Sequence, residues 1–368
     1  MTQAVMPLRV LIRTDASLQI GTGHVMRCLT LATGLAERGA KVQFLCRSHD
    51  GHLIDLIKGR GFAVFSMPKD ATFCSDVHQD MADHSHWLGC DWQTDVDQCR
   101  TAITDAVDWI IVDHYALDYR WENAMRDQSH QMMCIDDLAD RPHACDVLLD
   151  QSLGRCEEDY RGLVPEQARL LLGPTYALLR PEFAQWRTAS LARRETPQLR
   201  HILITMGGVD ADNVTGRVLS ELQGIDIETL DQITVVLGLH APWRDHVLAQ
   251  TKNMSVPTRV LSGVDNMAEL MTSCDLAIGA GGSTTWERCA LGVPTIQIEL
   301  ARNQKFINSS IQDAGVALIM RVDELEREIS SLLLATSTSS ILKRLSDRSA
   351  AVTDGSGVEA TLEFLQGS

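Results

Sequence analysis

Short apolar runs alternate with amphipathic stretches along most of the chain. In the stretches, apolar residues recur every three or four positions, whereas the runs are rich in β-branched and aliphatic residues. This alternation is typical of a parallel sheet wound by crossover helices, so it predicts an α/β protein. The predicted strands are 9–15, 41–47, 62–67, 108–114, 131–136, 146–150 and 169–172, followed by 201–205, 233–237, 259–261, 276–279 and 295–299.

A polar, basic segment separates the two series of strands. It runs from Arg180 to Arg200 and contains Pro181 and Pro197, which is typical of a linker. The 368 residues are enough for two ordinary domains, so we predict one over 1–190 and another over 191–368. We expect two doubly wound, Rossmann-like domains facing each other across a cleft.

Composition narrows the class of partner and the compartment. The chain has 33 Lys and Arg against 49 Asp and Glu, and a net charge of −16 disfavours nucleic acid. Ten cysteines without a C-x-x-C pair indicate a reducing, cytoplasmic setting. With no uninterrupted run of about 18 apolar residues and no leader-like start, we expect neither a membrane span nor secretion.

A glycine-rich turn, Ile20-Gly21-Thr22-Gly23-His24, follows the first predicted strand. Ligands bind at the carboxyl ends of parallel strands, and Gly21 and Gly23 would let backbone N–H groups approach an anion there. Met26 stands where a dinucleotide fold needs glycine, and Arg47 ends the second strand where such a fold needs an acid, so NAD is disfavoured. His24 is a candidate general base, held neutral by the helix dipole; a capping or merely exposed histidine is the alternative.

A second candidate cluster, Asp113-His114-Tyr115, closes the apolar run 109–112. It should emerge at the same edge as His24. Tyr115 is positioned to hydrogen-bond a sugar or a phosphate, and the equally open alternative is an aromatic side chain that closes the top of the sheet.

In the second half, Gly279-Ala-Gly-Gly282-Ser283-Thr284-Thr-Trp-Glu287 follows a strand. Glycines and hydroxyls at a helix start can hold a diphosphate through backbone N–H groups without a metal. Glu287, one turn further on, is placed to accept both hydroxyls of a ribose, and a helix-capping glutamate is the alternative. Two further pairs should reach the same edge: Gly207 with Gly208, and Asn303 with Gln304.

Several acidic clusters contain residue types that can bind a metal ion. We interpret Asp210-Ala-Asp212 as the cap of a helix beginning near Asn213. The acidic segment 70–100, with Asp95-Val-Asp97, we interpret as a solvated insertion loop. That segment also contains His78, Asp80, Asp83, His84, His86, Cys90 and Asp91, which match no standard zinc spacing. The sequence has neither G-x-x-x-x-G-K-[ST] nor G-x-S-x-G. We therefore expect no metal and no cofactor.

These motifs together resemble a known family. Five segments carry the resemblance: Arg13-x-Asp15, the block from Ile20 through Arg27 to Ala32, Val112-Asp-His-Tyr115, Met206-Gly-Gly208 and the block from Gly281 through Glu287 to Gln304. They are similar to the UDP-2,4-diacetamido-2,4,6-trideoxy-β-L-altropyranose hydrolases of pseudaminic acid biosynthesis. The resemblance covers nearly the whole chain, and Gly-x-Gly-His-x-x-Arg is its most specific part. The acidic segment 70–100 departs from it.

The resemblance implies the two-domain GT-B fold. In that fold the carboxy-terminal domain binds UDP, and the amino-terminal domain faces the sugar and the water molecule. It implies hydrolysis at the anomeric C–O bond with inversion, releasing UDP and the free sugar for pseudaminic acid synthesis and flagellin glycosylation. His24 matches the general base. The substrate-binding positions it implies are Arg13, Asp15, Gly21, Gly23, Tyr115, Gly207, Gly208, Gly282, Ser283, Thr284, Glu287, Asn303 and Gln304.

Two other functional classes stay open from the sequence: a UDP-sugar-dependent glycosyltransferase, and a nucleotide-sugar binding module without catalysis. The predicted partners are a UDP-sugar and water, with neither nucleic acid nor membrane. We expect a monomer.

Overall fold

The computed structural model describes residues 7–70, 84–239, 241–301 and 304–367. The chain divides into two compact units. Unit 1 extends to Leu178 and resumes at Val358, and unit 2 extends from Leu179 to Gly357. No helix in the described ranges is both long and apolar enough to cross a membrane.

Unit 1 is built on a seven-stranded sheet. Its strands are β1 (Arg9–Thr14), β2 (Lys41–Arg47), β3 (Ala63–Met67), β4 (Val107–Asp113), β5 (Ser129–Ile135), β6 (Val147–Asp150) and β7 (Arg169–Leu172). All neighbours are parallel, in the order β3-β2-β1-β4-β5-β6-β7. The central register pairs Val10 with both Val42 and Trp109.

Helices cover the sheet of unit 1. They are α1 (Gly23–Glu37), α2 (Ile54–Gly59), α3 (Trp92–Thr101) and α4 (Tyr119–Met125). Short 3-10 turns lie at Ser85–Leu88, Arg126–Gln128, Glu157–Tyr160 and Pro174–Tyr176. The apolar face of α1 packs on the sheet, since Val25, Cys28, Leu29, Ala32 and Leu35 are all buried.

Unit 2 repeats the doubly wound plan with six strands. They are β8 (His201–Thr205), β9 (Gln232–Leu237), β10 (Thr258–Ser262), β11 (Leu276–Ala280), β12 (Thr295–Glu299) and β13 (Leu318–Arg321), in the parallel order β10-β9-β8-β11-β12-β13. The sequence prediction missed β13.

The helices of unit 2 are α5 (Pro181–Arg193), α6 (Val214–Leu222), α7 (Arg244–Thr251), α8 (Met267–Ser273), α9 (Ser283–Ala290), α10 (Lys305–Asp313), α11 (Leu325–Thr336) and α12 (Ser339–Ala350), with a 3-10 turn at Val322–Glu324. A separate apolar core lies on this sheet, formed by residues such as Ile204, Val218, Val235 and Ile296.

The predicted linker is a helix. Pro181 occupies the first turn of α5, where its missing N–H costs nothing, and the basic residues of the segment bind within unit 2. Arg194 is buried and donates to the carbonyls of Met271 and Cys274, while Arg193 pairs with Asp275 at 2.5 Å. Backbone carbonyls and one carboxylate therefore anchor these cations.

The last helix, α13 (Gly357–Gly367), lies against unit 1 and not in the second domain where we had placed it. Its residues Val358, Leu362 and Leu365 join the core that also contains Leu31. A Cβ on Gly34 would lie 2.6 Å from Leu362 Cδ1, so α1 and α13 pack closely. The sequence shows that α13 is amphipathic, but an apolar face does not specify which core it covers.

The solvated loop predicted over 70–100 is wrong for its described part. Residues 71–83, including His78, Asp80 and Asp83, lie outside the described residues. Beyond them Asp91 caps α3 by accepting from Thr94 N, and Cys90 is buried. Asp95 is fully buried and accepts hydrogen bonds from Arg13 and Arg47, so the Asp95-Val-Asp97 pair is not a solvated acidic stretch.

Candidate active site

The polar motifs cluster at the point where each sheet reverses its strand order. In unit 1 the reversal lies between β1 and β4, which lead into the Gly21–His24 turn and Asp113. In unit 2 it lies between β8 and β11, which lead into Gly207–Gly208 and Gly281–Gly282. Crossover helices leave in opposite directions at such a point, so a crevice opens there and ligands bind in it.

His24, in the first turn of α1, forms a dyad with Asp113 at the end of β4. The distance from His24 Nδ1 to Asp113 Oδ1 is 2.6 Å. With its proton on Nδ1 the ring donates to the carboxylate, which leaves the lone pair of Nε2 free. Within the described part of the chain Nε2 has no hydrogen-bond partner, so the geometry leaves a proton acceptor at this edge.

Arg27, one turn after His24, holds the carboxylate of that dyad in place. Its Nε donates to Asp113 Oδ2 and its Nη2 to Asp113 Oδ1, both at 2.7 Å. Burial alone would raise the pKa of Asp113, but the charge of Arg27 and the hydrogen bonds from Arg27 and His24 outweigh it and hold that pKa well below its usual range. Asp113 is therefore a fixed anion that orients His24.

Aromatic side chains line the same edge. Tyr115 donates its hydroxyl to Asp137 Oδ2 at 2.8 Å, and Asp137 also accepts from Arg27 Nη1 at 2.5 Å. The Tyr115 ring meets the His24 ring edge to face with centroids 4.6 Å apart, and Trp87 stacks on Tyr115 at 5.7 Å. The phenol is therefore engaged, and it is the stacked rings that flank His24.

Arg13 and Asp15, predicted to bind substrate, are buried below this edge. Arg13 Nη1 lies 2.8 Å from Asp15 Oδ1, and its Nε and Nη2 both donate to Asp95. Neither side chain reaches solvent. Asp15 Oδ2 lies 3.3 Å from His114 Nε2, and burial lowers the pKa of His114 to about 4. These groups form an internal ionic network in this structure, so any effect they have on a ligand is indirect.

Gly21 and Gly23 differ in what they offer an anion. Gly21 has a φ of +80°, and its N–H is already bonded to the Ser17 carbonyl at 2.9 Å. The N–H groups of Gly23, His24 and Val25 at the start of α1 have no acceptor among the described residues. Gly21 therefore shapes the turn, and the helix start provides the donors.

The turn before α9 is the corresponding feature of unit 2, and its geometry suits an anion. Gly282 has a φ of +133°, a conformation open to glycine but strained for other residues. The helix then begins at Ser283 without a side-chain cap. In the described ranges the N–H groups of Ser283 and Thr284 have no protein acceptor, which leaves two aligned donors and the helix dipole facing outward.

Glu287 and Gln304 flank this turn. Glu287 Oε1 lies 3.8 Å from Arg180 Nη2, and burial raises the pKa of Glu287. Gln304 donates to the carbonyl of Gly281 at 2.9 Å and accepts from Leu300 N, so it supports the loop. Asn303 lies outside the described residues.

Gly207 and Gly208 form a close contact with the end of β9. Gly207 has a φ of +88°, and a Cβ on Gly238 would lie 1.7 Å from the Gly208 carbonyl oxygen. Asp210 accepts from Val214 N and Thr215 N, while Asn213 accepts from Gly216 N. The capping interpretation of this acidic stretch is confirmed, with Asp210 rather than Asp212 as the capping acid.

Among the described residues one group of potential metal ligands comes together away from both crevices. Glu122, Cys134 and His143 are buried with their ligating atoms within 4.8 Å of one another. Glu122 Oε1 lies 2.7 Å from His143 Nδ1 and 3.1 Å from Cys134 Sγ, and its other oxygen accepts from Ala144 N. These hydrogen bonds account for the carboxylate without an ion.

Sequence reasoning assigned no role to Asp113, Arg27, Asp137 or Trp87. Asp113 was expected at the right edge, and Arg27 stands three residues after His24 on α1, so spacing carried part of the signal. Asp137 and Trp87 had no such signal, because they come from other segments of unit 1.

The carboxy-terminal half of the chain matches a known domain family. Residues 201–356 match the glycosyltransferase family 28 C-terminal domain. The match lies within unit 2 and includes the Gly207–Gly208 and Gly281–Gly282 turns.

Two curated relatives match across larger parts of the chain. An uncharacterized protein of Methanocaldococcus jannaschii is 28% identical over 80% of this chain and 57% of its own length. The UDP-2,4-diacetamido-2,4,6-trideoxy-β-L-altropyranose hydrolase of Campylobacter jejuni is 27% identical over 58% of this chain and 66% of its own length. The chain thus spans between about half and two thirds of each of these relatives, and it is related to sugar-nucleotide processing enzymes.

Solved structures establish the fold. Acinetobacter baumannii MurG superposes with a TM-score of 0.67 over 98% of this chain and 100% of that one, at 16% identity. The fold is GT-B, with two doubly wound Rossmann-like units, as the sequence predicted.

Proposed function

We propose that this protein is a metal-independent hydrolase that cleaves the anomeric C–O bond of a UDP-linked 2,4-diacetamido-2,4,6-trideoxy sugar with inversion. The observation that carries the proposal is the His24–Asp113 dyad, whose free Nε2 suits a base that activates water. The similarity to the Campylobacter jejuni hydrolase supports the substrate class.

The dyad has one task in this mechanism. His24 Nε2 takes a proton from a water molecule as the water oxygen attacks the anomeric carbon, and the bond to the UDP oxygen breaks. Asp113, held by Arg27, stabilises the imidazolium that forms. Because a single displacement has no covalent intermediate, the released sugar has the opposite anomeric configuration.

Departure of UDP requires stabilisation of the diphosphate charge. The N–H groups of Ser283 and Thr284 at the start of α9 supply preorganised donors, and Glu287 accepts the ribose hydroxyls. Because these donors supply the electrostatic stabilisation, chelation with EDTA should leave the rate unchanged. A loss of rate that magnesium restores would contradict the metal-independent mechanism.

A glycosyltransferase is the second candidate, and the match of residues 201–356 to the glycosyltransferase family 28 C-terminal domain favours it. In that case His24 would deprotonate an acceptor hydroxyl, and UDP release would depend on the acceptor.

The test uses His24→Asn, which keeps a similar size and a donor but loses the proton acceptor. We expect kcat for UDP release from the UDP-sugar to fall by about 10²-fold or more, with UDP affinity within twofold of wild type. Oxygen from ¹⁸O-labelled water should appear in the sugar and not in UDP. His130→Asn, at an exposed position on β5, is the matched control and should behave as wild type.

Three outcomes would overturn the proposal. Label in UDP would mean attack at phosphorus, wild-type kcat in His24→Asn would mean a structural histidine, and UDP release only with an added acceptor would identify a transferase.

A further inference from the structure

Arg288, on α9, is a buried cation without a carboxylate partner in the described part of the chain. It is 1% exposed. Its Nη2 donates to the Ala280 carbonyl at 2.9 Å and to Gln297 Oε1 at 2.6 Å. Its Nε and Nη1 are buried without any hydrogen-bond partner in the structure.

The guanidinium group lies beneath the crevice between β8 and β11. A Cβ on Gly279 would lie 2.7 Å from Arg288 Nη1 and 2.9 Å from the carbonyl oxygen of Thr205, the last residue of β8. Ala280, which accepts from Nη2, ends β11 and directly precedes the Gly281–Gly282 turn. The charge is thus close to the place where α9 begins.

The hydrogen-bond partners of the Arg288 guanidinium are all neutral. Gln297 links Arg288 to Asn308 at 2.6 Å, and only Asn308 reaches a carboxylate, that of Glu299, at 3.1 Å. Glu287, the neighbour in sequence, acts on Arg288 through its charge but forms no hydrogen bond or ion pair with it among the described residues, and Arg180 Nη2 lies 3.8 Å from Glu287 Oε1.

The surroundings make the charge costly in the unliganded protein. Burial lowers the pKa of Arg288 to about 10, which shows that the site disfavours the cation. The start of α9 adds the positive end of a helix dipole to the same region. A buried cation is normally paired, so an anion bound at this turn would relieve both contributions.

We propose that Arg288 is a positioning residue whose charge, held beneath the Gly281–Gly282 turn, is the counter-charge for a bound diphosphate. It acts through the turn and through its electric field rather than by touching the ligand, and it replaces the divalent cation that many nucleotide-sugar enzymes would use. The inference rests on the proposed function for the identity of the ligand, UDP.

The affinities of ligands that differ in charge distinguish a counter-charge at Arg288 from a residue that only packs. A residue needed only to shape the turn would affect UDP, UMP and uridine alike. A counter-charge should matter most for UDP, less for UMP and not at all for uridine.

Calorimetry with UDP, UMP and uridine tests this on wild type, Arg288→Met and Arg288→Lys. We expect Arg288→Met to weaken UDP binding by about tenfold or more while uridine affinity stays within twofold. Arg288→Lys should keep most of the UDP affinity, because it keeps the charge.

Arg194→Met is the matched control. Arg194 is another buried arginine of unit 2 without a carboxylate bonded to it, but it donates to Met271 and Cys274 carbonyls away from the turn. We expect this variant to bind all three ligands as wild type does. Circular dichroism verifies that each variant is folded, and if Arg288→Met is not, Arg288→Lys against Arg288→Gln provides the same comparison.

The outcomes distinguish this inference from the proposed function. Equal losses for UDP and uridine, or no loss, would overturn the role of Arg288. If wild type binds inorganic pyrophosphate or another nucleoside diphosphate in an Arg288-dependent way but not UDP, the counter-charge stands and the proposed substrate fails. Absence of binding to every diphosphate would overturn both.

Discussion

The geometry of His24 depends on two other residues, Asp113 and Arg27. Asp113 sets which ring nitrogen carries the proton, and Arg27 keeps Asp113 ionised although the carboxylate is fully buried. A neutral partner at position 113 would lose the charge that stabilises imidazolium while changing little of the shape. The role proposed for His24 therefore depends on three side chains together.

Asp113→Asn tests this at the residue scale. We expect kcat for UDP-sugar hydrolysis to fall by about 10²- to 10⁴-fold, because the amide favours the wrong tautomer and cannot balance the developing charge. The KM should change far less, since Asp113 is buried. Steady-state kinetics provides the measurement, and Asp108→Asn on the same strand is the control, which should retain wild-type kcat. Equal kcat in the two variants would count against the dyad.

Among the elements, the proposed binding of a diphosphate depends most on α9 and the turn before it. The turn needs Gly282 at a φ of +133° so that the N–H groups of Ser283 and Thr284 point outward. The side chain of Gln304 then ties Gly281 to the end of β12. The same arrangement, a strand followed by a glycine turn and an uncapped helix, recurs at the start of α1.

Gly282→Ala should disturb the turn without a steric clash, because no atom lies within 4 Å of the added Cβ. The backbone strain should lower the free energy of unfolding by about 1–3 kcal/mol and weaken UDP binding. Urea denaturation and calorimetry are the measurements. Gly224→Ala, also without a neighbour within 4 Å but not at positive φ, should be neutral or slightly stabilising. Identical behaviour of the two variants would refute the role of the turn.

At the scale of the whole molecule, each unit has an apolar core of its own, and the last helix of the chain packs in a core of unit 1. Leu362 of α13 packs on Gly34 of α1 in the core of unit 1, whereas Leu333 of α11 is part of the core of unit 2. Both side chains are fully buried. Each leucine therefore reports on one unit.

Leu362→Ala should destabilise unit 1 by about 2–5 kcal/mol, because it removes buried methyl groups and leaves a cavity. Hydrogen exchange followed by mass spectrometry should show faster exchange in α1 and the strands of unit 1. Leu333→Ala is the reciprocal control and should have its effect in unit 2. If Leu362→Ala accelerated exchange mainly in unit 2, the assignment of α13 to the first core would be wrong.

Much of the fold could be predicted because it is local in origin. Each strand is a short apolar run and each helix an apolar stripe, so twelve of the thirteen described strands were predicted to within two residues. The doubly wound plan was predicted as well, because strands that alternate with helices favour a parallel sheet with crossover helices. The glycine turns were predictable for the same reason, because a positive φ at a single position favours glycine and so marks the turn in the sequence.

Tertiary structure alone decided how the polar groups pair. His24 and Asp113 are 89 residues apart, and a pattern along the chain cannot show that their side chains meet. The same holds for Asp95, which looked solvated but neutralises Arg13 in the core, and for the face of α13, which could have covered either core. Arg288 is the clearest case: its sequence position is an ordinary one on a helix, and only burial without a counter-charge makes it notable. The physical reason is that hydrophobic periodicity acts over a few residues, whereas desolvation and charge depend on everything packed around a group.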